Sequence, residues 1–253
     1  MNVKLSSVAL SISAVLVIVL ATVVAVVQGG TTDAAGENRS NPSPLSPQSD
    51  TVKYIRLLII GDSFTEGTRY GGKGSANWTD LAQQRLTAEK PADCPILLRV
   101  SGRGGAGYDA TGIRGTTFGD EIARLMTPDI SGVLILGSGN DIRHLSALYP
   151  DEVGKVIGKV HAVNPAANIL IVGPAWIRDS TPDAGHVEAN RLLAEAARQN
   201  DSAFVNPIAE RWFAGVDGVV GPDRVHPTDK GHEVIADHLT PELAEMARTG
   251  RCE

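Results

Sequence analysis

Residues 54–60 read YIRLLII and run straight into Gly61-Asp62-Ser63-Phe64. A short apolar run closed by Gly-Asp has the profile of a strand buried on both faces, with a turn after it. Downstream, Trp78, Leu81, Ala82 and Leu86 recur at helical spacing, and Pro95–Val100 predicts a second strand. A short helix over Ile122–Met126 precedes a third strand, Gly132–Leu136, and a helix over Val153–Val163 precedes a fourth, Asn168–Val172. His186–Gln199 is strongly periodic, Ala203–Val205 is a weak fifth strand, and the last helix runs from about Asp229 to Met246, capped by Thr228 or Asp229. Such alternation predicts an α/β fold with a central parallel sheet of about five strands and helices on both faces. In such sheets ligands bind beyond the carboxyl ends of the strands, so chemistry is expected just after each apolar run.

Polar residues do cluster there. Ser63 follows the first strand, the glycine-rich stretch 102–107 the second, and Asn140-Asp141 the third, while Asp223-Arg224-Val225-His226-Pro227 precedes the last helix. Acyl transfer by a serine needs a hydroxyl, a base, a group that orients the base, and donors for the oxyanion. Ser63, His226, Asp223 and the Asn140 amide match these needs, with backbone N–H groups from the Gly102 region. Asp62 and Asp141 are expected to hydrogen-bond within their turns.

At these four blocks the chain resembles the SGNH (GDSL-type) hydrolases, over about residues 55–240. The blocks are Gly61-Asp62-Ser63-Phe64, Val100-Ser101-Gly102-Arg103, Gly137-Ser138-Gly139-Asn140-Asp141 and Asp223-Arg224-Val225-His226-Pro227. The third has one residue more than the usual Gly-x-Asn-Asp. The resemblance implies a flavodoxin-like three-layer α/β/α sandwich. It also implies Ser63 as nucleophile, His226 as general base, Asp223 as its partner, and an oxyanion hole of Ser63 N–H, Gly102 N–H and Asn140. Gly104, Gly105 and Gly107 are alternatives to Gly102. Tyr108, Ile142, Trp176 and Arg178 follow the strands and are expected to line the substrate pocket, although Trp176 could equally be packing.

The composition is that of a globular protein: 253 residues, 42% hydrophobic, 21% charged and 4% aromatic. A net charge of −6 without a basic run lacks the footprint of a nucleic-acid binder. His232-Glu233 opens like a His-Glu-x-x-His zinc motif, but Ala236 stands in the second histidine's place, so no metal or cofactor is expected. His144, His161, His186, His232 and His238 read as surface or helix-end residues. Gly102-Arg103-Gly104-Gly105-Ala106-Gly107 fits a dinucleotide fingerprint only in letters, because no helix pattern opens there.

Residues 5–27 hold neither charge nor proline, long enough at roughly 35 Å to cross a bilayer. They read as a signal anchor, with a cleaved signal peptide as the alternative. Lys4 before the run and Asp33 and Glu37 after it put the following domain outside the cytoplasm, secreted if the segment is cleaved. Residues 28–52 form a Pro/Ser/Thr/Gly-rich linker, and 53–253 the hydrolase domain. An oxidising compartment permits a Cys94–Cys252 disulfide, with two free thiols as the alternative. The expected activity is esterase action on small acyl esters. Its substrate is a small acyl ester or an acylated glycan, and its rivals are an O-acyltransferase acting on an envelope glycan and a non-catalytic glycan-binding module. Oligomeric state is not legible.

Overall fold

The computed structural model describes residues 52–89, 94–147 and 149–253. The expected signal anchor and nearly all of the expected linker lie outside the described residues. Among the described residues no helix is long and apolar enough to cross a membrane.

Five parallel strands, β1 (Ile55–Gly61), β2 (Ile96–Gly102), β3 (Ile130–Leu136), β4 (Asn168–Val172) and β5 (Ala203–Val205), form one sheet in the order β2-β1-β3-β4-β5. This is the flavodoxin-like order, with its switch point between β1 and β3. Residues Leu57 to Ile60 alternate between two apolar layers. Leu58 and Ile60 face Phe118, Ile122, Val153, Ile157 and Leu193, while Leu57 and Ile59 face Trp78, Leu86, Ile235, Leu239 and Leu243. On the first side lie α3 (Phe118–Leu125), α4 (Tyr149–His161) and α5 (Ala184–Gln199). On the second lie α2 (Trp78–Glu89) and α6 (Asp229–Arg248). The result is a three-layer α/β/α sandwich.

The expected elements are all present, with shifted ends. Helix α3 begins at Phe118, four residues before the apolar periodicity, because Thr117 and Asp120 form a capping box ahead of it. Strand β2 is the sheet edge and leaves Leu97 and Val100 about two-fifths exposed. Thr228 caps α6 by accepting from the Gly231 N–H.

Of the two readings of His232, surface or helix-end, the second holds, since it sits in the first turn of α6, and its complete burial excludes the first. The glycine at 72 and the first turn of α2 close over it. Its Nδ1 accepts the Trp78 N–H at 3.3 Å, and burial pushes its pKa down to about 4.

Cys94 and Cys252 form a disulfide across a separation of 158 residues. Beyond it, Glu253 exchanges backbone hydrogen bonds with Tyr54 at 2.8 and 3.1 Å, so the tail lies beside the start of β1.

Opening this long loop is expected to lower stability by roughly 3–5 kcal/mol through the entropy it removes from the unfolded chain. Urea unfolding of the Cys94→Ala/Cys252→Ala protein checks this, and an unchanged midpoint would contradict it. For His232 the unfolded chain binds the extra proton between about pH 6.5 and 4, so its contribution to stability is lost as pH falls through that window. His232→Gln should therefore lose roughly 2 kcal/mol less than the parent between pH 7 and 4.5. Urea midpoints at the two pH values give the comparison.

Candidate active site

The chain leaves β1 at Gly61 and turns at once into α1 (Ser63–Glu66). Asp62 caps this turn, its Oδ1 accepting the Phe64 N–H at 2.9 Å. Ser63, the first helical residue, is thereby held half-exposed at the carboxyl end of the sheet. From the other side comes the loop before α6. The His226 carbonyl accepts the Gly221 N–H at 2.8 Å, and an isolated bridge joins Val220 to Pro227.

These two segments bring Ser63 Oγ to 3.0 Å from His226 Nε2. On the far side of the ring, His226 Nδ1 lies 2.6 Å from Asp223 Oδ2. Asp223 Oδ1 also accepts the backbone N–H groups of Val225 and His226 at 3.0 and 3.1 Å. Partial desolvation raises the Asp223 pKa, but these hydrogen bonds and the imidazole outweigh it and hold the carboxylate at about 2. Asp223 stays ionised at neutral pH and orients the ring so that Nε2 can take the serine proton.

The extra residue in the third block is absorbed by a tight turn. Ser138 Oγ accepts the Asn140 N–H at 2.9 Å and donates to the Ala106 carbonyl at 3.1 Å. The Asn140 amide donates to that same carbonyl at 2.9 Å and to Asp62 Oδ2 at 3.3 Å. Burial pushes the Asp62 carboxyl up to about 7, against the Phe64 N–H that favours its charge. Asp141 works beyond its own turn, which corrects the expectation. Its carboxylate accepts the N–H groups of Tyr108, Asp109 and Ala110 at 2.8, 3.1 and 2.7 Å and the Tyr149 hydroxyl at 2.8 Å. It therefore fixes the loop that follows β2.

A cavity of about 770 Å³ opens over Ser63 and His226, within the range of small-molecule sites. Trp176 and Arg178 line it as expected. Tyr108 does not. It is buried edge-on against Phe118 and Tyr149, because Asp141 draws its backbone inward. Ile142 packs against Gly185 instead of the cavity. Gly102 is likewise off the wall. A Cβ there would lie 2.2 Å from the Glu66 nitrogen, so this glycine permits close packing of α1 on β2. Gly104 and Gly105 line the cavity instead. The Gly104 N–H is taken by Glu66 Oε2 at 2.7 Å, whereas Gly105, at φ +79°, makes no hydrogen bond through its N–H to another described residue.

Phe64, Lys73, Ile113, Arg143 and His186 also line the cavity and were not legible as site residues. Of these only His186 had a local signal, as the third residue after the cap Asp183 of α5. Among the described residues no group of three or more His, Cys, Asp or Glu could hold a metal ion.

Asp141→Ala would strand four donors at once, three of them backbone. A loss of at least about 3 kcal/mol is expected, together with collapse of turnover as the 104–110 loop loosens. Chemical denaturation measures the first effect, and a midpoint within error of the parent would refute the anchoring role.

Residues 59–234 match the family model of the GDSL-like lipase/acylhydrolase family. A GDSL lipase of Mycobacterium tuberculosis is 33% identical over 220 residues, covering 84% of this chain and 91% of the lipase. Among solved structures, TesA superposes with a TM-score of 0.60 at 22% identity, over 76% of this chain and 99% of TesA. A lipase/acylhydrolase from Enterococcus faecalis gives 0.59 at 14% identity, over 79% and 98%. Sequence and fold agree with the geometry around Ser63, and the chain belongs to the GDSL-like lipase/acylhydrolase family of SGNH-type serine hydrolases.

Proposed function

We propose that this protein is an extracytoplasmic esterase that hydrolyses carboxylic esters of short acyl chains through an acyl-enzyme on Ser63. The observation that carries the reading is the continuous hydrogen-bonded relay Ser63–His226–Asp223 at the mouth of one cavity. In the first half-reaction Ser63 Oγ attacks the ester carbonyl while His226 Nε2 takes its proton. The tetrahedral oxyanion is held by the N–H groups of Ser63 and Gly105 and by the Asn140 amide, which gives up its long 3.3 Å bond to Asp62 to reach it. Neither backbone N–H is engaged by a described residue, so both are free to receive it. His226 then protonates the leaving alcohol, and the same ring activates water to release the acid. Phe64 and Ile113 supply apolar contact for a few acyl carbons.

Two features support the location. The uncharged run 5–27 can serve as an anchor or export signal. The Cys94–Cys252 disulfide is a bond that persists in oxidising compartments.

The test follows hydrolysis of p-nitrophenyl acetate, butyrate and octanoate by the full-length protein beside Ser63→Ala and Asn140→Ala. Turnover should vanish in Ser63→Ala, favour acetate and butyrate over octanoate, and fall in kcat by about 10²–10³ in Asn140→Ala. A rate that survives in Ser63→Ala sinks the acyl-enzyme reading. Near-parental turnover in Asn140→Ala removes that amide from the oxyanion hole.

A further inference from the structure

A second cavity, of about 350 Å³, shares the Trp176–Arg178 wall with the catalytic one. Arg211, Trp212, Phe213 and Asp179 are among the residues that line it. Arg178 is built into this wall. Its guanidinium lies over the Trp176 ring, 4.6 Å from the centroid, and its Nε donates to the Arg224 carbonyl at 2.7 Å. Neither Arg178 nor Arg211 makes an ion pair among the described residues. Asp183, whose carboxylate feels the charge of Arg178, is already engaged by the backbone N–H and ring of His186. Asp179 is the one acidic side chain lining this second cavity, against two arginines.

The catalytic cavity has the same bias. Lys73, Arg143 and Arg178 line it, opposed by Glu66, which is occupied by the Gly104 N–H and Arg114, and by the buried Asp62. A chain with a net charge of −6 thus gathers cations around its site. A cleft of one sign between low-dielectric walls focuses field and draws in ligands of the opposite sign.

Geometry also says which part of the ester meets these cations. Arg224, whose carbonyl fixes Arg178, lies in the loop that carries Asp223 and His226. A leaving alcohol must sit against His226 to receive its proton, so Arg178 borders the alcohol side. Building on the esterase reading above, we propose that the site selects esters whose alcohol portion carries an anionic group, a carboxylate or a phosphate, seated between Arg178 and Arg211. The planar guanidinium fork suits either oxyanion, and the stacked indole fixes its direction without neutralising it.

The experiment compares matched acetyl esters on the full-length protein. The pairs are acetylated glycerol 3-phosphate against monoacetylglycerol, and O-acetyllactate against its methyl ester, each read as kcat/KM from acetate release. At least one anionic member should be preferred by about tenfold or more, as expected for a new charge-assisted hydrogen-bonded pair. The pair with the larger preference identifies the anion. Arg178→Gln should bring that preference to about one, chiefly through KM, with partial recovery in Arg178→Lys, whereas Arg143→Gln should keep most of it. No preference in the parent overturns the proposal. So does an equal loss for charged and neutral esters in Arg178→Gln, the result expected if this arginine only braces the loop. Equal abolition of the preference by Arg143→Gln overturns the assignment to Arg178. If even p-nitrophenyl acetate is not turned over, the esterase reading fails separately. Calorimetric binding of glycerol 3-phosphate and lactate then decides the anion seat: about tenfold weaker binding in Arg178→Gln supports it, and absence of binding of both to the parent refutes it.

Discussion

Between Ile55 and Gly61 the chain is hydrogen-bonded to a neighbour on each edge, β2 on one side and β3 on the other, and covered by helices on both faces. Leu57 to Ile60 are wholly buried. No polar side chain could be tolerated in that stretch without a partner, so the chemistry has to begin where the strand ends. Because β1 is the second strand of the order β2-β1-β3-β4-β5, its end meets the ends of both neighbours. The Arg103 N–H, just past β2, donates to the Gly61 carbonyl at 2.8 Å, and Asn140, just past β3, reaches Asp62. The position of Ser63 is thus a consequence of how thoroughly its strand is enclosed.

Beyond the strand ends, buried carboxylates take over from apolar packing. Apolar contact is non-directional and could not fix a loop to a few tenths of an ångström. Asp141 receives four donors and ties the segment after β2 to the end of β3. Glu121, on α3, accepts from Ser101 and pairs with Arg103 and Arg124. Burial raises its pKa, but these partners hold it at about 2. Asp62 has fewer partners, one backbone N–H and a long bond from Asn140, and burial drives it toward its neutral form. A carboxyl group therefore serves as a charged clamp at Glu121, where donors converge, and is pushed toward neutrality at Asp62 beside Ser63.

Much of this was legible in the sequence because the signals were strong and local. A seven-residue apolar run closed by Gly-Asp identifies β1 without any tertiary information. A separation of three residues between Asp223 and His226 suffices to bring the two side chains together in one loop. What the sequence hid depended on which side of a backbone faced the cavity. In the stretch 102–107 four glycines compete for one role. The packing of α1 against Gly102, the engagement of the Gly104 and Gly107 N–H groups and the left-handed turn at Gly105 separate them. Tyr108 and Ile142 sit at strand ends like Trp176 and Arg178, but Asp141 pulls the first inward and Gly185 receives the second. The burial of His232 was hidden because the residue falls in the polar first turn of a helix. Its burial comes from a glycine at 72, some 160 residues away in the chain, which leaves room for the ring.

The disulfide gives the domain an uneven topology. Cys94 and Cys252 close a covalent ring that contains Asn140, Asp223 and His226 together with strands β2 to β5. Ser63 lies outside it, on an open tail whose single strand is clasped between two strands of the ring. Ser63 and His226 therefore belong to separate topological parts, which meet at the cavity through their own hydrogen bond and those of Asp62 with Asn140 and Glu66 with Gly104, and at the opposite end through the pairing of Tyr54 with Glu253. A single cut within the ring leaves every site residue on one covalent molecule. Withdrawal of the tail, by contrast, would strip the serine from a ring that stays closed around its base.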